Sequence, residues 1–431
     1  MKFLFATVQV RVSWVLGLVL ACASSGVQAD TLTRVSSFEY DATGLLTKEV
    51  IEPDVANNCL QTTYTYDSYG NKSAVSTATC AGATGYAIVS ATTARAAAST
   101  YAAQSIVINS VTYSSPAGTF ATTSTNALSQ SEAKSYDPRF GTLTSLTGPN
   151  ALTTSWAYDG FGRKTKETRA DATYTTWAYK LCTDVGANCP AAIAGALSVW
   201  VAIEQSFAVN LLASAPEKRQ YHDTLGRVVR VQTQGFDPTA GTGPTLYQDT
   251  EYNALGQVAR KSNLYASTGS PVWASYSYDA LGRAISQSHP DPAAAGSVAT
   301  TTFGYNALVT TVTNSKSQTK TTTKNAQGQV AQVTDAQNNT VTYSYNALGQ
   351  LLSTNAAGSI TSMTYNQRGQ KTSMLDPAMG AWIYAYNAFG ELVYQRDSLN
   401  QSATMVYDVL GRMTKRTEPD LGPRQLPWPP H

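Results

Sequence analysis

At 431 residues the chain is long enough for two or three ordinary domains, or for one extended repeat architecture. Charged residues are only 13% of it, and the Thr and Tyr that help fill their place favour the pleated, half-buried surface of a strand. With a formal net charge of +2 and lysines and arginines scattered singly, there is no basic stripe to neutralise phosphates, which excludes nucleic acid as a partner.

Residues 1–29 read as a signal peptide. Lys2 and Arg11 supply a positive n-region, Val12 to Ala23 an apolar stretch, and Val27-Gln28-Ala29 a cleavage site before Asp30. The apolar run is too short for the roughly 20 residues that cross a bilayer as a helix. The expected localisation is export: secreted, periplasmic or at the cell surface. A competing reading is a lipoprotein signal at Val19-Leu20-Ala21-Cys22, with Cys22 as the anchor.

Residues 30–180 carry the first copies of a repeat, interrupted at 81–130 by an irregular Ala-, Ser- and Thr-rich insertion without the motif. Residues 181–215 form a second insertion, with a cysteine pair and the apolar run Val199-Trp200-Val201-Ala202-Ile203, a buried strand in expectation. The array resumes over 216–415, and 416–431 is expected to be a proline-rich disordered tail. Leaving Cys22 aside, the cysteines fall in two local pairs, Cys59 with Cys80 and Cys182 with Cys189. An oxidising compartment would let them close as disulfides, although other connectivities stay open from sequence. Neither pair has zinc-ligand spacing.

The repeat is an aromatic, then Asp or Asn, two variable residues and Gly, often followed by Arg or Gln. It puts Asp41 before Gly44, Asp67 before Gly70, Asp159 before Gly162 and Asp279 before Gly282. Further on it puts Asn346 before Gly349, Asn387 before Gly390 and Asp408 before Gly411. The Asp or Asn can accept a hydrogen bond from the backbone two residues on and start a type I turn. Gly three positions later can turn left-handed without a Cβ clash. Alternating Thr, Tyr and Val before the turn, as in Thr340-Val341-Thr342-Tyr343-Ser344-Tyr345, place Val341, Tyr343 and Tyr345 on one face. Each unit is thus a β-hairpin closed by a type I turn with a Gly bulge. One hairpin buries too little to be stable, so successive hairpins must stack edge to edge. The fold class expected is all-β, an array of repeated hairpins forming a spiralling sheet.

Tyr-Asp-x-x-Gly-Arg, as in Tyr158-Asp159-Gly160-Phe161-Gly162-Arg163 and Tyr278-Asp279-Ala280-Leu281-Gly282-Arg283, recurs with a period near 21 toward the C-terminus. It resembles the YD-repeat, or RHS (rearrangement hot spot), family over residues 30–415. The resemblance implies a partial RHS-type β-shell and a scaffold that encloses or presents a polypeptide cargo or pairs with a neighbouring RHS protein. It also implies carbohydrate binding as an alternative. Toxin members carry Asp-Pro-x-Gly before a variable C-terminal toxin. Asp137-Pro138, Asp237-Pro238 and Asp376-Pro377 lack Gly at that spacing, so the chain looks like a stand-alone array or a truncated shell, even a non-functional remnant.

No nucleophile elbow, zinc-helix motif or phosphate loop is visible, so no catalytic, metal or cofactor residue is expected. Half the repeated acids are Asn, which suits a turn and not a carboxylate pair for glycoside hydrolysis. Trp156, Tyr158, Trp273, Tyr278, Trp382 and Tyr386 could make a sugar-stacking platform, but cross-strand core pairing explains them more simply. Arg163, Arg283 and Arg412 are expected to pair with turn carboxylates. His222, directly before Asp223, and the turns at Asn306 and Asp137 are taken as degenerate turns. An open array would leave sheet edges free, so self-association through them is expected.

Overall fold

The computed structural model describes residues 8–12, 34–52, 54–81, 94–190, 197–235, 243–294 and 296–418. The protein is all-β. Among the described residues the one helical element is a single 3-10 turn at Ala56–Asn58, and the strand pairings are antiparallel. Two compact units can be distinguished: residues 135–342, and residues 1–134 together with 343–431.

The second unit (135–342) is a meander from Thr153–Tyr158 to the strand that starts at Thr340, each strand pairing with the next. One departure follows Val258–Ser262, which pairs with Trp273–Tyr278 while the short Tyr265–Ala266 pairs back on Thr245–Tyr252. The array continues through Ala284–Pro290, Val298–Asn306, Val309–Thr313, Thr319–Lys324 and Val330–Thr334. Its core is Val201, Ile203, Tyr221 and Val229, with Ala187 folded over it. Trp200–Phe207 therefore belongs to the sheet itself, between Tyr174–Leu181 and Lys218–His222. Cys182 and Cys189 are joined by a disulfide, and their loop is held down on the core. Arg219 donates to the carbonyls of Gly186 and Ala187, and Tyr221 donates to that of Asn188. A buried ion pair, Arg230 bidentate on Asp249 at 2.6 and 2.7 Å, is completed by the Tyr265 hydroxyl. Burial and the bond to Asp249 push that phenol up to about 12.

In the first unit, Arg34–Tyr40, Leu46–Ile51, Leu60–Tyr66, Lys72–Thr79, Arg95–Thr100 and Thr123–Thr125 pair in that order. A disulfide joins Cys59 to Cys80 at the open end of the Leu60–Thr79 hairpin. Within the stretch read as a signal peptide, Val8–Val12 pairs with Arg34–Phe38, and the rest of it lies outside the described residues. The stretch 81–130 supplies strands to this sheet and a separate hairpin, Gln104–Ile108 with Val111–Ser115. The same unit holds the C-terminal hairpins from Leu351–Ala356 to Met413–Thr417. Arg95 ties these to the N-terminal strands. Its guanidinium meets Glu391 at 2.7 Å and lies 4.0 Å over the Phe389 ring. Of the expected tail, Arg416 and Thr417 belong to the last strand, and 419–431 lie outside the described residues.

Candidate functional site: a ladder of turns

Each motif forms the same turn. The Asp41, Asp67, Asp159, Asp279 and Asp408 carboxylates accept the backbone N–H groups two and four residues on. Asn346 does likewise through its amide oxygen, and Asn387 accepts from Glu391. The N–H of Gly44, Gly70, Gly162, Gly282, Gly349, Gly390 and Gly411 donates to the carbonyl that starts its turn, and each of these glycines has positive φ. A bulge precedes the aromatic residue before Asp41, Asp67, Asp159, Asp279, Asn387 and Asp408, for example between Ser277 and Tyr278.

The fifth residue of the turn is matched to the first. Four turns that begin with Asp carry Arg there, Asp159 with Arg163, Asp223 with Arg227, Asp279 with Arg283 and Asp408 with Arg412, whereas Asp41 has Leu45 and takes the Thr43 hydroxyl instead. Where Asn begins it, Gln follows, and the Asn amide donates to the Gln oxygen at Asn253–Gln257, Asn325–Gln329, Asn346–Gln350 and Asn366–Gln370. Asp67 and Asp335 take Asn71 and Asn339 instead, and Asn387 takes Glu391. Each partnership satisfies one side chain with the other, so a mixed pair would leave a donor or a charge without its mate. The expected arginine–carboxylate pairs thus lie within one turn. Bonds from the Arg283 backbone N–H and guanidinium hold Asp279 below the usual carboxylate range, and Arg412 does the same for Asp408. Carboxylates so occupied are ill-suited to metal or proton transfer. Among the described residues no group of three or more His, Cys, Asp or Glu could hold a metal ion.

The motif tyrosine joins one repeat to the one before. Tyr158, Tyr278, Tyr305, Tyr386 and Tyr407 donate to the carbonyls of Leu143, Val258, Ala284, Lys371 and Leu392 at 2.7–2.9 Å. The turn arginine of the preceding repeat covers the ring: Arg227 lies 4.4 Å over Tyr252, and Arg283 lies 4.3 Å over Tyr305. Hydroxyl and ring face are thereby used inside the array. Trp156 donates to Glu167, and Trp382 stacks near Tyr384. Sequence reasoning assigned the rings to cross-strand packing and missed the hydroxyl's carbonyl partner, for which no local signal exists.

His222 is buried, stacked on Trp200 at 3.7 Å, and its Nδ1 meets the Gly226 carbonyl at 3.0 Å. Burial holds it below the ordinary histidine value, so it packs as a neutral ring. Asp137 forms its own variant turn with Arg139, and at Asn306 the chain reverses in two residues, with Ala307 at positive φ.

Because successive strands of the second unit are antiparallel, the glycine turns fall along one edge. There the residue before glycine points outward: Phe161, Leu225, Leu255 and Leu281 are 83%, 73%, 80% and 78% exposed. This apolar row was not anticipated from sequence, although Leu-Gly recurs in the motif.

An RHS-repeat family model matches residues 136–174 and 325–360. No curated protein matches the chain. Among solved structures, that of TcdB2-TccC3-Cdc42 is similar at a TM-score of 0.51 and 10% identity, covering 90% of this chain and 32% of that one. That of TcdB2-TccC3 gives a TM-score of 0.47 at 10% identity, with 90% and 30% covered. The chain therefore spans about a third of the length of these structures, and at such identity the first likeness concerns the fold alone.

Proposed function

We propose that this chain, an RHS-repeat protein of all-β architecture, is an exported scaffold that holds or presents a partner polypeptide. The observation that carries the reading is the apolar row at the glycine edge. Four large side chains face solvent there, while the polar groups beside them are consumed by their own turns. Neighbouring strands are roughly 4.8 Å apart, so the turns of Leu225, Leu255 and Leu281 recur at roughly 10 Å, while Phe161 stands roughly 20 Å from Leu225 across the connection that carries the Cys182–Cys189 disulfide. An ordered row of that kind is characteristic of a protein-interaction surface. Phe389 in the first unit supplies an example of such a side chain when covered, by the guanidinium of Arg95. The solved structure of similar fold is that of TcdB2-TccC3-Cdc42. Export is supported by the N-terminal pattern and by two disulfides, which persist in oxidising compartments.

The test is a capture experiment from culture supernatant and envelope, with the chain from Asp30 and with a variant carrying Phe161→Ser, Leu225→Ser, Leu255→Ser and Leu281→Ser. The expected result is one specific polypeptide, protected from protease in the complex and lost with the variant. Recovery of glycans or wall fragments alone, or equal capture by the variant, would overturn the reading.

A further inference from the structure

At the edge opposite the glycine turns, three strands of the second unit leave a shallow cleft of about 380 Å³, lined by Lys261, Ala274, Tyr276, His289, Pro290 and Pro292 among others. Strand register explains why it is there. Lys261 pairs with Ala274, and Ser275 pairs with Ser288, which sets Ala274 beside His289 on the same face. Tyr276 follows on that face, two residues along its strand. Neighbouring strands are roughly 4.8 Å apart, so the stems of Lys261 and His289 stand roughly 10 Å apart with only the Ala274 methyl between them. That methyl is the floor, and Val272, Pro290 and Pro292 add apolar walls at the strand ends. Trp273 stands on the other face, where Arg260 lies 4.4 Å over its ring, and meets the cleft at its rim.

The polar groups left open in this lining are mostly donors. Ser262 Oγ is used up, accepting the Asp249 N–H and donating to the Asn263 carbonyl. Asn263 Oδ1 accepts the Val272 N–H, which leaves its amide hydrogens. His289 Nδ1 donates to the Pro290 carbonyl, which can only accept, so Nε2 is the open nitrogen. The Lys261 ammonium, the Tyr276 hydroxyl and the Trp273 ring N–H have no partner among the described residues. No Asp or Glu lines the cleft, and the two nearest in sequence are engaged: Asp291 Oδ1 accepts the Ala293 N–H, and Glu251 holds Arg260. One unpaired ammonium matches a single carboxylate, and a mostly apolar lining favours an organic body over a bare inorganic anion. The volume is at the low end of the roughly 300–1,000 Å³ typical of ligand sites, which suits a body of about one ring. We propose that this cleft binds a small organic monocarboxylate. Lys261 Nζ takes the carboxylate, the Tyr276 hydroxyl and the Asn263 amide supply further donors, and the apolar body lies on Ala274, Pro290 and Pro292.

The test titrates the full chain into para-fluorophenylacetate and follows the probe by fluorine NMR. Saturable binding is expected, weaker by about tenfold for Lys261→Gln, the loss of one charge-assisted bond. Lys261 is exposed, so its replacement leaves the sheet intact. The neutral para-fluorophenylacetamide should bind about tenfold more weakly than the acid, for the same reason. Ala274→Leu, which fills the floor and keeps the ammonium, should abolish binding with the urea unfolding midpoint unchanged or raised. Absence of saturation, equal binding of the amide, or full binding by either variant would overturn the proposal. Displacement of the probe by inorganic phosphate as readily as by phenylacetate would overturn it too, since the apolar body would then count for nothing. The cleft and the apolar row share no residue, so the failure of one reading leaves the other standing.

Discussion

The two edges of the second unit's sheet are closed by the same kind of turn from different residues. Along one edge the left-handed position of the five-residue turns is glycine, at Gly162, Gly226, Gly256, Gly282 and Gly328, with Ala307 holding it in the tighter turn at Asn306. Along the other the same position holds Ala151, Ala172, Leu211, Ser317 and Asn338, all with φ between 50° and 70°. Backbone conformation alone therefore does not demand glycine. At some of these turns an added demand comes from a neighbouring turn. A Cβ on Gly282 would lie 3.2 Å from Gln257 Nε2, one on Gly256 3.6 Å from Arg227 Nη1, and one on Gly162 3.1 Å from the Phe140 ring. The first unit repeats this: a Cβ on Gly390 would meet Gln370 at 2.8 Å. At Gly162, Gly282 and Gly390 the glycine is thus the seat of a side chain from another turn, whereas a Cβ on Gly226 or Gly328 would meet nothing within 4 Å, so the seat belongs to particular turns and not to the whole edge.

The largest expected effect tests that seat. Gly390→Val combines left-handed strain with displacement of Gln370, and should cost about 2–3 kcal/mol in urea unfolding. Adding Gln370→Ala should recover part of the loss, and no recovery would mean that conformation alone sets the requirement. Next comes the matched pair. Asp223 is buried beside Arg227, so Asp223→Asn should cost about 1–2 kcal/mol by leaving the guanidinium without its carboxylate. Asp223→Asn with Arg227→Gln recreates the Asn–Gln form and should restore most of it, which a double-mutant cycle measures. The pH dependence has a defined sign. Burial pushes the Asp223 carboxyl up, but the Arg227 bonds outweigh it and leave it below its ordinary 3.8. Its stabilisation is therefore complete above that unfolded value and lost as pH falls through the lower folded one. The Asn–Gln variant should be flat over that window.

Tyr278→Phe removes the donor to the Val258 carbonyl and should cost about 1 kcal/mol, with faster amide exchange in the two hairpins it joins. The smallest effect belongs to the opposite edge. Ala172, at φ 65°, should gain about 0.5–1 kcal/mol on Ala172→Gly, because relief of left-handed strain exceeds the entropy glycine loses. A loss there would show that packing of the Ala172 side chain outweighs the strain.

Much of this was legible in the chain. The Asp-x-x-Gly and Asn-x-x-Gly spacing announced the turns, because a short acceptor and a Cβ-free residue three apart leave few other conformations. The alternation around Tyr343 and Tyr345 announced strands. Even the Asp–Arg and Asn–Gln matching was present in the repeats, visible once the first and fifth turn positions are compared with each other. The span 181–215 lacks the motif in both its turns, yet the buried strand expected from its apolar run is present as Trp200–Phe207 and pairs with both neighbours.

The sequence by itself determined where the chain turns, since a turn is closed by residues within five positions of one another. Tertiary structure alone decided what those turns meet. The carbonyl that receives each of these tyrosine hydroxyls, the side chains that rest on Gly162, Gly282 and Gly390, and the seat of Arg95 against Glu391, 296 residues away, depend on which strands become neighbours. That pairing is set by the summed registers of many strands, and no local spacing encodes it.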